Sequence, residues 1–326
     1  MNLYRLRLSI CSPWLTPWQS DTFSGLLCWV LARTEGGGVL EREVLEPARH
    51  GQPVFVASDA FPADMLPVPA ALRMRSWPED QRRPVKHARW LSVADFRLFQ
   101  ESKLPAVEHL LPDERVHDSH FGLRNRLNRV SGTTGGAGEG GLFSVKETYF
   151  ARDRVRERCN PAHLNEVAIY IRVADGYKTK FMDLVHELSY VGFGADVSVG
   201  KGQFKVVSED LEPAEEFDSI PNANACIVLS TFQPGPDDPT DGVWEAFVKY
   251  GKMGPDFGLE NIFKRPAVMF RSGACFRRVV SAIGVGRCIP MPELLAPDAC
   301  AQLRAKAVSI IHLALGLAVP FCWTGI

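Results

Sequence analysis

The chain has 326 residues, 46% of them hydrophobic and 23% charged, with a formal net charge of −1 at pH 7. That length supports one large domain or two ordinary ones, and the near-zero charge excludes a general basic field as the basis for binding a polyanion, so local patches must carry any such role. The eight cysteines form no CxxC pair and no regular spacing, which argues against a disulfide scaffold or a structural zinc site and fits a reducing cytoplasm.

At the N-terminus, Tyr4, Leu6, Leu8 and Ile10 alternate with Leu3, Arg5, Arg7 and Ser9, which predicts a strand. After a turn-rich bridge, Ser20 and Asp21 stand as caps before a helix whose Phe23, Leu26, Leu27, Val30 and Leu31 share one face. Pro53 to Ser58 reads as a second strand ending in a turn, with Asp59 in an Asx-turn role. Residues 73–129 look irregular and basic, with twelve Lys or Arg against eight Asp or Glu, and are read as a long insertion. The strand pattern resumes in LFSVKETYF and in VAIYIRV (Val167 to Val173), and Lys178 to Tyr190 places Phe181, Leu184, Val185 and Leu188 on one helical face. A closing strand, QFKVV, completes the order strand, helix, strand, strand, helix, strand of a ferredoxin-like unit, the skeleton of RNA-recognition modules.

Beyond an acidic connector at Glu209 to Asp218, strand candidates lie at Ala225 to Phe232, Val243 to Tyr250 and Ala267 to Arg271. Val308 to Trp323 is apolar but short for a membrane span and broken by His312, Gly316 and Pro320, so a buried strand or a strand pair is expected and no membrane partner. The fold class is α+β, with a first domain over 1–207 carrying the insertion at about 70–130 and a second over 208–326.

The chemistry centres on GFGADVSVGKGQF, Gly192 to Phe204. Its glycines permit φ > 0 and a close approach of phosphate to the backbone, and Lys201 adds charge. A nucleotide P-loop fails on the spacing between glycines, on Gly202 where a hydroxyl is required, and on the following strand. A dinucleotide fingerprint lacks its third glycine. Backbone contact with RNA remains, against a plain helix-to-strand turn.

A second cluster runs from His120 to Gly136 and carries Arg124, Arg126 and Arg129 with no acid among them, beside Asn125 and Asn128. Guanidinium forks suit phosphate oxygens, although arginines at this spacing also suit a solvated helix face. His117 and His120 form an HxxH pair that no further ligand completes, so no metal or other cofactor is expected. Trp77, Trp90, Phe96 and Phe99 lie among basic residues, an arrangement that serves single-stranded nucleic acid or a small satellite core.

Five blocks in one order carry a family resemblance: Ser12 to Trp29, Val56 to Pro69, Arg124 to Phe150, Val191 to Phe204 and Leu229 to Gly254. Together they resemble subunit four of the Csm complex, the type III-A CRISPR effector. The resemblance implies a RAMP protein of two ferredoxin-like, RNA-recognition-like domains with a glycine-rich loop. Its role would be non-catalytic: gripping the repeat-derived 5′ tag of the CRISPR RNA and capping the foot of the complex.

The implied neighbours are the large polymerase-cyclase subunit, the backbone nuclease subunit and target RNA near the tag junction. By position, Gly192, Gly194, Gly200, Lys201 and Gly202 face the tag, Ser20 and Thr22 offer hydroxyls and amides to a phosphate, and His120, Arg124, Asn125, Arg126, Arg129, Thr133 and Thr134 make backbone and tag contacts. A thumb-like hairpin is expected in Arg73 to Lys103, with Lys86, Arg89 and Trp90 as candidates. The alternative is a RAMP endoribonuclease that cuts repeat RNA, which requires a general base that the first helix lacks as a histidine.

Overall fold

In the computed structural model, which describes residues 1–125, 127, 132–134, 141–151, 160, 163–278 and 284–324, the alternating N-terminal segment forms strand β1 (Asn2–Ile10) and is followed by helix α1 (Ser20–Thr34). Next come β2 (Phe55–Pro62), β3 (Met65–Pro67), α2 (Ala70–Met74), α3 (Glu79–His87), β4 (Ala88–Ser92), α4 (Val93–Gln100) and β5 (Leu111–Pro112). A hairpin of β6 (His117–Asn125) and β7 (Leu142–Phe150) precedes β8 (Glu166–Val173), α5 (Lys178–Val191), β9 (Phe204–Val206) and β10 (Glu212–Pro213). The remainder comprises β11 (Ala225–Val228), β12 (Gly242–Val243), β13 (Ala246–Lys249), β14 (Ala267–Phe270), β15 (Ala274–Phe276), β16 (Val285–Pro290), α6 (Pro297–Ala305), β17 (Ile311–Gly316) and β18 (Ala318–Phe321).

The first sheet is antiparallel, with β9 and β10 sharing one edge of β1, then β8, then β2. Period-two side-chain alternation sorts its residues between two cores. Leu6, Leu8, Ile169 and Ile171 meet Phe23 and Leu27 of α1 and Phe181, Val185 and Leu188 of α5. Leu3, Val56, Ala168 and Tyr170 point the other way, into a core shared with Ile227, Leu229, Val319 and Phe321.

Those last residues belong to the second sheet, ordered β12, β15, β11, β18. Its β15-to-β18 connection carries α6, whereas the β11-to-β12 connection carries no helix. The reason is local, since Pro234, Pro236 and Pro239 in that connection remove amide donors and exclude helical backbone.

β2 runs past Ser58, where a turn was expected, to Pro62. Ser58 and Asp59 form a bulge, with Ala57 opposite Ile171 and Ala60 opposite Ile169. The extra residue aims Asp59 at the seam between the sheets, not into an Asx-turn. Its Oδ1 accepts the amides of Ser20 at 2.9 Å and Thr231 at 2.8 Å, and its Oδ2 accepts the Thr231 hydroxyl at 2.9 Å. Burial pushes the Asp59 carboxyl above its ordinary pKa against the pull of these donors.

Neighbouring ties repeat the pattern. Ser20 donates its hydroxyl to the Thr231 carbonyl, and Ser230 donates to the Ala57 carbonyl and accepts from the Leu317 amide. Farther along the seam, buried Asp21 accepts from Lys249 at 2.7 Å and His312 at 2.8 Å. Burial raises the Asp21 pKa, but these two partners outweigh it and hold the carboxyl well below its usual range.

The segment read as a projecting thumb is instead packed. Leu72, Val85, Ala88, Leu91 and Phe96 lie in the core shared by both sheets, and β3, β4 and β5 form a small sheet of their own. Trp90 is half-buried, donating to Asp113 at 2.9 Å and meeting Phe61 and His117 edge-on. Arg89 is paired with Glu245, and Lys86 is exposed near the end of α3. The basic residues that made the segment look irregular alternate with apolar ones that are buried. Among the described residues no helix is long and apolar enough to cross a membrane.

Asp59→Ala is expected to destabilise the chain by about 3 kcal/mol, because it strands two buried amides. Asp59→Asn should cost far less, since an amide oxygen still accepts both. Urea denaturation of the two variants beside the parent chain checks this.

Candidate nucleic-acid interface

The glycine segment ends α5 and turns back towards β9. Gly192, Gly194, Gly200 and Gly202 all have positive φ, between 65° and 94°. Space decides two of them as well. A Cβ on Gly202 would sit 2.0 Å from the Phe193 carbonyl oxygen, and one on Gly194 would sit 2.5 Å from Thr16 Cβ, whereas Gly200 faces open space.

The expected open cradle of amides is largely closed. Phe193 N–H donates to Gly202 O, Gly202 N–H to Pro13 O, Lys201 N–H to Asp196 O, Ala195 N–H to Thr16 Oγ1 and Gln203 N–H to Ser12 Oγ, at 2.8 to 3.2 Å. These bonds seat the loop on bridge residues 12–16. Trp18 stacks on Phe193 with ring centroids 3.9 Å apart and meets Phe204 edge-on. The loop therefore presents side chains rather than amides, and Lys201 is the cation among them.

Lys201 reaches the β6–β7 hairpin. The register puts Asp118, His120, Gly122 and Arg124 opposite Tyr149, Glu147, Val145 and Phe143 on one hairpin face. On that face Glu147 Oε2 accepts from Lys201 Nζ at 2.6 Å and Oε1 accepts from Arg124 Nη2 at 3.3 Å, while Arg124 Nη1 donates to Asp196. The hydrogen bond from Lys201 leads in holding the Glu147 carboxyl below its usual range, and that to Asp196 leads in raising the Arg124 pKa. Two cations and two carboxylates thus clamp hairpin to loop.

At the hairpin's base a cleft of about 470 Å³ opens, lined by Ser12, Pro13, Trp14, Asp118, Tyr149 and Asn165 among others. Trp14, His117 and Phe150 pack edge-on or tilted beside it and anchor the hairpin. Towards the tip, Phe121, Leu123 and Leu142 on the opposite face are 63%, 77% and 67% exposed, so this hairpin, rather than 73–103, is an element that projects.

The candidates from sequence are distributed unevenly. Arg124, Lys201 and His120 gather on the hairpin face and loop. Asn125 ends β6 and is exposed, as are Thr133 and Thr134. Arg126 and Arg129 lie outside the described residues.

Ser20 is 1% exposed with both polar groups bonded inward, so it offers nothing to a phosphate. Thr22 Oγ1 takes a hydrogen bond from Lys249 at 3.1 Å. His117 and His120 fall on opposite faces of a strand, so their HxxH spacing cannot chelate one ion, and among the described residues no group of three His, Cys, Asp or Glu is placed to hold a metal. Sequence reasoning missed Glu147, Asp196, Tyr149 and Thr16. The only advance signal was cross-strand pairing of LFSVKETYF with the arginine segment.

No protein-family model matches the chain, and no curated protein matches it. Solved structures do. A chain in the crystal structure of a Csm3-Csm4 subcomplex of the type III-A CRISPR-Cas interference complex aligns with 99% of this chain and 100% of its own, at a TM-score of 0.61 and 13% identity. A chain in the crystal structure of a Csm1-Csm4 cassette in complex with AMPPNP aligns over 99% of both, at 0.60 and 14%. The fold is Csm4-like. The likeness spans nearly the whole of each chain, and at this identity it is a likeness of fold.

Within this Csm4-like fold the glycine loop is a test of seating. Alanine at Gly200 or Gly202 should incur about 1 kcal/mol for its left-handed backbone. Gly202→Ala must also displace the Phe193 carbonyl and is expected to cost at least ~1 kcal/mol more than Gly200→Ala. Denaturation midpoints of the two variants check the difference.

Proposed function

We propose that this chain is a non-catalytic RNA-binding subunit of a type III-A CRISPR effector, holding the 5′ tag of the CRISPR RNA between the glycine loop and the β6–β7 hairpin. The observation that carries the reading is the convergence of Lys201, Arg124 and the Tyr149 cleft on one hairpin face, within a fold that is Csm4-like from end to end. Guanidinium and ammonium donors held in place suit phosphate oxygens, and a half-exposed tyrosine suits base stacking.

The two sheets are read as ferredoxin-like units. The first follows β1-α1-β2 and β8-α5-β9 with β1 and β8 central, and the second repeats that order without its first crossover helix. The projecting β6–β7 hairpin takes over the thumb role first expected in 73–103, next to target RNA at the tag junction.

The matching chains come from assemblies with Csm1 and with Csm3. By that likeness the proposed neighbours are the large polymerase-cyclase subunit and the backbone nuclease subunit, in the cytoplasm.

Replacing Lys201 and Arg124 together by alanine is expected to weaken binding of tagged guide RNA roughly tenfold or more and to weaken tagless RNA less. Equal affinity of variant and parent for the tag contradicts the assignment. Specific cleavage of repeat RNA by the pure chain, lost in His120→Ala, would establish the endoribonuclease alternative instead.

A further inference from the structure

A row of four ionisable side chains crosses the seam between α1 and the second half of the chain. Lys249 of β13 donates to Asp21 Oδ1 at 2.7 Å, Asp21 Oδ2 meets His312 Nε2 of β17 at 2.8 Å, and His312 Nδ1 meets Lys264 Nζ at 3.2 Å. Lys264 lies between β13 and β14, where its amide donates to the Gly251 carbonyl at 2.9 Å. A Cβ on Gly251 would come 3.0 Å from Lys264 Cδ, so the lysine stem runs close over that glycine.

The partners fix where the protons are. A carboxylate only accepts and an ammonium only donates, so His312 carries its proton on Nε2, donates it to Asp21 and accepts from Lys264 at a bare Nδ1. The imidazole is neutral. The two lysines are not equivalent, because Lys249 also donates to Gln19 at 2.7 Å and Thr22 at 3.1 Å, which with Asp21 occupies its three donors. Lys264 pairs with no carboxylate among the described residues and depends on His312.

In this state two ammonium groups face one carboxylate. A proton on Nδ1 would double the excess of positive charge where the Asp21 side chain is wholly buried and that of His312 is 14% exposed, and buried charge without a partner is costly. Burial has the largest influence on His312 and lowers its pKa; the hydrogen bond and charge of Asp21 oppose it, and the charges of Lys264 and Lys249 add to the lowering. The charged groups acting on the ring therefore come from α1, β13 and the segment before β14. On the other elements beside β17, β16 places apolar Ile289 opposite His312, Glu293 is paired with Arg287, and Asp59 of β2 is committed to Ser20 and Thr231.

We propose that Asp21, His312 and Lys264 form a proton-sensitive latch: a proton taken from solvent at His312 Nδ1 sets two donors face to face, expels Lys264 and frees segment 250–266 from the seam. An imidazole released from the seam returns to the ordinary value near 6.5, so the latched form binds the proton less readily. The latch's contribution to stability is then present above that value and lost as pH falls through the lower value of the latched ring. It involves no residue of the groove at the glycine loop and stands whether or not that groove reads the tag.

The test is amide hydrogen exchange of the full chain at about pH 7.5 and about pH 5.5, either side of the ordinary histidine value, corrected for the intrinsic pH dependence of exchange and read on residues 250–266. Protection there is expected to fall roughly threefold or more at the lower pH. His312→Gln offers a donor and an acceptor without titrating, and its protection is expected to be the same at both. Lys264→Met removes one opposing charge, so the His312 ring titration, followed by NMR, is expected to move to higher pH.

Equal protection of 250–266 at the two pH values in the parent, or a fall as large in His312→Gln as in the parent, overturns the proposal. If His312→Gln does not fold, the ring titration decides alone: a midpoint that rises in Lys264→Met upholds the latch, and one that stays or falls overturns it.

Discussion

The buried carboxylate of Asp59 is the point on which the rest of the structure turns. It accepts the first amide of α1 and two donors of Thr231, and so fixes in one place the start of a helix, a bulge in β2 and the strand extension of the second sheet. The adjacent Ala60 amide donates to the Trp18 carbonyl, which holds the bridge between β1 and α1. That bridge in turn seats the glycine loop through Ser12, Pro13 and Thr16. A capping group supplied by a neighbouring strand instead of the helix's own N-cap residue is what makes the groove a property of the whole fold.

The groove itself is electrically balanced. Lys201 and Arg124 are matched by Glu147 and Asp196, so the free chain has little net charge there to attract a polyanion from a distance. Such an arrangement favours preformed geometry over long-range attraction, because the cations are already in place and phosphate has only to replace a carboxylate. It also makes the hairpin and the loop one unit, since displacing Asp196 from Arg124 loosens the clamp between them.

Much of this was legible in the sequence wherever a single period governed the side chains. β1, β8 and α5 follow their hydrophobic patterns because each is buried on a face that its own period defines. β6 was obscured because Gly122, Arg124 and Asn125 break the pattern of an exposed hairpin strand that only its base anchors. Segment 70–112 looked like a solvated insertion because charge counts do not reveal that Phe96 and Leu91 point inward while Arg97 and Arg89 point out. Ser20 looked like a cap for its helix, but Asp59 supplies that function from 39 residues away. Likewise, the arginine segment contains no acid of its own, yet Arg124 finds Asp196 at a separation of 72 residues. Local pattern carried the elements, and non-local polar pairing set the site.

The most direct test of the account is ultraviolet crosslinking of the tagged guide RNA to this chain within the proposed effector assembly, with the joined peptides read by mass spectrometry. The account predicts that tag nucleotides crosslink to the cleft around Tyr149 and to loop residues 192–203. Tag crosslinks confined to other surfaces, with none at Tyr149 or on the loop, would contradict it.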